Sequence, residues 1–131
     1  MRTTSFKLAI LAVMTVGVPY CAARADALQN ALMKLPPEER VRQICIIKGL
    51  DRMRSEKSLP TADRMKTSIL SPAQLNGEVL TAKGAAVRSK HHWFALNFTC
   101  EVTKDQMKAT RFDYHVGEEI PADKWEDLGL W

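Results

Sequence analysis

Residues 92–102 alternate without a fault. Phe94, Leu96, Phe98, Cys100 and Val102 fall on one side, with Asn97, Thr99 and Glu101 between them on the other. A period of two over so long a run fits a half-buried strand and no helix. Its neighbours extend the pattern. Lys83-Gly84 and Lys90-His91 occupy tight-turn positions, and Thr103 to Met107 a longer turn, which predicts strands at about 78–82, 85–89, 92–102 and 108–117. Leu80 is then expected to face Val87, and Val87 to face Phe94. Centring the last hairpin on Asp105 pairs Phe94 with Val116, Leu96 with Tyr114 and Phe98 with Phe112. Cys100 lies on the inward face of this four-stranded antiparallel meander.

Helical spacing precedes the sheet. Leu28, Ala31, Leu32 and Leu35 form one stripe over Asp26–Leu35, which Pro36-Pro37 ends. The same prolines can open a second helix, because a first helical residue needs no N–H partner. Glu38 and Glu39 suit its positive end, and it should run to about Ser55. Val41, Ile44 and Cys45 mark its core side, while Ile46, Ile47, Leu50 and Met53 surround it further on. Gly49 in its middle is expected to cost about 1 kcal/mol relative to Ala. Pro60, Pro72 and Asn76-Gly77 break up residues 55–77, where 64–70 reads as a strand. A short helix from Pro121 to about Leu128 should cover a sheet edge or end with Trp125 and Leu128. The fold class is α+β, N-terminal helices packed on an antiparallel sheet.

The N-terminus reads as an export label. Arg2 and Lys7 precede an uncharged, mostly apolar run from Leu8 to Val18, Pro19 breaks it, and Ala23-Arg24-Ala25 offers a cleavage site. The run is shorter than the ~20 apolar residues of a membrane span, and none of that length follows. Residues 1–25 are therefore expected to be a signal peptide and 26–131 a single exported domain, periplasmic or secreted. The leader holds Arg2, Lys7 and Arg24 but no acid, so its loss takes the net charge from +4 to +1. That near-neutral balance and the export label argue against a nucleic-acid partner. Cys21 leaves with the leader. Cys45 and Cys100 remain, and two cysteines in an oxidising compartment most simply pair. Neither has the flanking ligands of a metal site or a C-x-x-C spacing.

Several strings carry a resemblance. They are Leu35-Pro-Pro-Glu-Glu-Arg-Val-Arg-Gln-Ile-Cys45, Leu80-Thr-Ala-Lys-Gly-Ala-Ala-Val-Arg-Ser-Lys90 with Trp93, Phe98-Thr-Cys-Glu101, Phe112-x-Tyr114-x-Val116-Gly117, and Ile120-Pro121 with Trp125 and Leu130-Trp131. Together they resemble domain-of-unknown-function family 930, small exported proteins typical of alphaproteobacteria, over nearly all of residues 35–131. The resemblance implies export and a paired Cys45–Cys100, and no activity. The family pattern has acids after the first cysteine and two positions later, where this chain has Ile46 and Lys48.

The outer sheet face is the expected binding surface: Trp93, Asn97 and Thr99 on one strand, Arg111, Asp113 and His115 on the next. Asp113 and His115 are two apart and share a face, half of an acid–base arrangement. A nucleophile elbow is missing. No phosphate loop, zinc-protease motif or dinucleotide fingerprint appears, so neither cofactor nor metal is expected. His91-His92 point to opposite faces at a turn and do not chelate one ion. Arg88, Lys90, His91, His92 and Trp93 read as a solvated tip with too few charges for strong attraction. Ile46, Leu50 and Met53 offer an apolar stripe on the second helix, expected to be buried under residues 55–77. The expected function is a non-catalytic binding or interaction module for an envelope protein or small ligand. The alternatives are a small envelope enzyme using Asp113 and His115, and a passive envelope-stability factor.

Overall fold

The computed structural model describes residues 20–131. Most of the expected leader lies outside them. The elements are α1 (Tyr20–Met33), α2 (Pro37–Ser55), β1 (Ala62–Lys66), β2 (Gln74–Asn76), β3 (Val79–Ser89), β4 (His92–Val102), β5 (Ala109–Glu119) and α3 (Trp125–Leu128), the last preceded by one tight turn at Ala122–Lys124. Helices and a five-stranded antiparallel sheet make an α+β fold, with strand order β1-β3-β4-β5 and β2 also on β3.

α2 starts on Pro37, carries Glu38 and Glu39 in its first turn and ends with Arg52 and Arg54, charges that suit both ends of its dipole. Arg40 reaches back to the end of α1 and the turn after it, donating to the carbonyls of Leu32 (3.0 Å) and Leu35 (3.1 Å). α2 lies on the inner sheet face, burying Val41, Ile44, Cys45 and Met53 against Leu80, Leu96, Phe98 and Phe112. Cys45 and Cys100 form a disulfide, with Cα atoms 6.0 Å apart, as both periodicities and the resemblance require.

Three expectations are corrected. Lys83-Gly84 is not a hairpin: β3 runs unbroken from Val79 to Ser89 and bulges between Ala82 and Ala85. Leu80 and Val87 therefore share one strand, and Leu80 faces Cys100. The bulge is held from outside, because the Ile69 and Leu70 N–H groups both donate to the Gly84 carbonyl (2.7 and 2.8 Å). A Cβ on Gly84 would stand 2.2 Å from the Ser71 nitrogen, so only glycine admits that neighbour.

The β4–β5 register is also displaced by two residues. Leu96 pairs with Val116, Phe98 with Tyr114 and Cys100 with Phe112. A bulge between Glu101 and Val102 and a left-handed Gln106 move the turn beyond Asp105. The slip is even, so every side chain keeps its expected face. The third correction concerns Trp93. It does point to the outer face, but it is fully buried there, in a second core with Ala86, Ile120 and Leu130. The C-terminal segment folds over that part of the sheet rather than over an edge. Ile120 N donates to Trp93 O (2.7 Å), and Trp125 Nε1 to Ile120 O (2.8 Å). Lys66 stacks on the Trp131 ring at 3.8 Å, and Arg64 Nη1 donates to Trp131 O at 2.7 Å.

Candidate functional site

With Trp93 covered, the open part of the outer face is the half carrying Asn97, Thr99, Arg111, Asp113 and His115. β4 and β5 set them opposite one another: Asn97 by His115, Thr99 by Asp113, Glu101 by Arg111. With Thr81 and Lys83 from β3, four of them line a shallow depression of about 400 Å³. Asp113 is engaged by arginines. Arg111 Nε donates to its Oδ2 (2.6 Å), and Arg52 Nη1 stands 4.0 Å from Oδ1. No hydrogen bond joins Asp113 to His115 among the described residues. In this arrangement arginine, not His115, holds that carboxylate.

Arg52 belongs to a strap between the end of α2 and β5. It donates to the Phe112 carbonyl and to Glu56 Oε1 (2.7 Å), while Tyr114 OH donates to Glu56 Oε2 (2.9 Å) and meets Ser58 Oγ at 2.6 Å. The hydrogen bond from Arg52, then that from Tyr114, holds the Glu56 carboxyl below its ordinary value, and Glu56 in turn raises Arg52. The strap satisfies a carbonyl on an edge strand that would otherwise invite pairing with another chain.

At the hairpin tip, Lys90 and His91 take left-handed φ of 50° and 65°, as a two-residue turn requires. His92 Nδ1 pairs with Glu119. No group of three or more His, Cys, Asp or Glu converges on a metal position among the described residues.

A larger concavity lies elsewhere among the described residues. α1, α2 and the β4–β5 turn enclose an open trough of about 460 Å³. Its apolar lining is Leu28 and Leu32 from α1, Ile44 and Ile47 from α2, and Met107 and Ala109 beside the turn. Leu28 is 47% exposed and Ile47 42%, large apolar surface left in water. Lys48, Asp51, Arg54 and Lys108 complete the lining. Of the stripe expected on α2, Met53 is buried and Ile46 and Leu50 are half-buried against the core, while Ile47, outside that stripe, is exposed. The α1 stripe and the apolar girdle of α2 were visible signals for this trough. The contribution of Met107, Lys108 and Ala109 was not, because it depends on how the turn closes.

A family model, described as Domain of Unknown Function (DUF930), matches residues 32–130. Neither a curated protein nor a solved structure matches the chain. A match over most of the chain, a span that includes both cores and the disulfide, makes this protein a member of the DUF930 family.

Proposed function

We propose that the chain is exported and works as a non-catalytic binding module, with the trough between α1, α2 and the β4–β5 turn as its contact surface. The observation that carries this is the exposed apolar lining around Leu28 and Ile47. Concave, mostly apolar surface with a few polar groups is the usual form of a binding site, and leaving it in water is unfavourable. Export is supported by the leader-like residues 1–25 and by the Cys45–Cys100 bond, which persists in oxidising compartments. Every trough residue lies beyond Ala25, so cleavage there leaves the surface whole.

Two measurements test the proposal. The intact mass of the protein recovered from the periplasm or medium should fit a chain beginning at Asp26 with no free thiol. Hydrogen exchange in an envelope extract should show new protection at residues 28–32, 44–54 and 107–109. Protection confined to residues 97–99 and 111–115 of the outer face, or none at all, would overturn the trough as the contact surface.

A further inference from the structure

We propose that the trough takes a monomeric fatty acid, a single alkyl chain ending in a carboxylate. This rests on the binding-module reading and adds the ligand class. The trough is polarised along α2. Ile44 and Ile47 come first, then Lys48, Asp51 and Arg54. From Ile44 to Arg54 the helix rises about 15 Å at 1.5 Å per residue. An alkyl chain laid beside Ile44, Ile47 and Leu28 thus brings its head to the charged end of α2, and Lys108 joins the lining from the β4–β5 turn.

Charge selects the head. Three cations face one acid, and Lys48, Arg54 and Lys108 form no ion pair among the described residues. With Asp51 counted, an anion at this end still meets an excess of two positive charges, Arg54 keeping its Nη groups free of the bond that its Nε gives to the Ala62 carbonyl, and a carboxylate accepts short, charge-assisted hydrogen bonds from Lys and Arg. A cationic head would be repelled. The same rim disfavours two other occupants. The chain's own residues 1–19 carry Arg2 and Lys7 and no acid. A second copy docking by this face would bring the same excess of cations. At about 460 Å³ the trough falls within the size range of small-molecule sites.

The probe is dodecanoate, titrated below its micellar concentration into the disulfide-bonded chain 26–131 and followed by calorimetry and amide NMR shifts. Saturable one-to-one binding is expected, with shifts at residues 28–54 and 107–109. Dodecyltrimethylammonium, with the same chain and opposite head, should bind about tenfold more weakly or worse. Ile47→Glu, a change at a surface position, should weaken dodecanoate by about tenfold while leaving the thermal midpoint unmoved. Lys48→Gln with Lys108→Gln should erase the preference for the anionic head.

Equal binding of both amphiphiles, indifference to Ile47→Glu, or binding to phosphatidylglycerol vesicles without binding of free dodecanoate would each overturn the fatty-acid assignment. If dodecanoate fails while the envelope extract still protects the trough, the ligand class falls and the binding module stands. If neither acts on the trough, both fall.

Discussion

Gly49→Ala should destabilise this protein, although helix propensity alone says the opposite. Alanine in a helix interior is favoured over glycine by about 1 kcal/mol. Gly49, however, is buried in α2 where the helix crosses the sheet, and a Cβ there would lie 2.6 Å from Phe112 Cζ and 3.0 Å from Met65 Sδ. Carbon atoms in good contact sit about 3.5–4.0 Å apart, so roughly 1 Å must be found. Phe112 has little freedom to give it. The ring is fully buried and stacked on Phe98 at 5.0 Å. α2 has little more, because Cys45, one turn earlier, is bonded to Cys100 beside Phe112 on the sheet. Overpacking of this kind costs about 1–3 kcal/mol and sometimes more, and it has to exceed the propensity gain. Taking about 2–3 kcal/mol for so close an approach and subtracting the propensity gain, we expect a net loss of about 1–2 kcal/mol by urea denaturation, or roughly 4–16 °C in Tm for a domain of this size. Adding Phe112→Leu makes room, so the double-mutant cycle should show coupling of about 1 kcal/mol or more between the two sites. Alanine that is neutral or stabilising, with no coupling to Phe112, would refute the argument that glycine sets the helix–sheet distance.

Other outcomes follow from the same contacts. Replacing both Cys45 and Cys100 by Ala opens a 55-residue loop and should cost about 4 kcal/mol in urea, and a loss below about 1 kcal/mol would contradict the chain-entropy account. Trp93→Ala should cost about 3–5 kcal/mol as a buried cavity. Trp93→Phe should cost much less, since it also removes an indole N–H that has no partner in its buried site; similar losses for the two variants would argue against the outer core. Because Glu56 has a lowered folded pKa, its contribution is complete above the ordinary value of 4.5 and fades as pH falls below it. Glu56→Gln should therefore lower stability at neutral pH and flatten the acid limb of the stability profile. An unchanged limb would show that the α2–β5 strap does not carry that dependence.

How far the fold could be read depends on what a period of two encodes. Alternation assigns a face, and it did so correctly for Phe94 through Val102 and for Phe112, Tyr114 and Val116. It is blind to an even slip, so the β4–β5 register waited on the conformation of Gln106 and the bulge after Glu101. It is equally blind to the cause of a phase change. Ala82 and Ala85 both face inward, three residues apart, and a turn or a bulge explains that spacing equally well. What decides is the segment around Ile69–Ser71 closing on Gly84, a contact made by chain far away in sequence. Burial of the outer face has the same origin. Parity put Trp93 outward, and only the return of Ile120 and Leu130 across the sheet turned that face into a second core. The candidate site followed suit. Leu28, Leu32, Ile44 and Ile47 were legible as helix stripes, but a stripe does not say whether anything covers it. The trough exists because the disulfide and Arg40 fix α2 and the end of α1 in place, while the turn carrying Met107 and Lys108 closes the third side without filling it. Concavity is a tertiary property, so the helix residues of this site could be named from periodicity while its turn residues and the site itself could not.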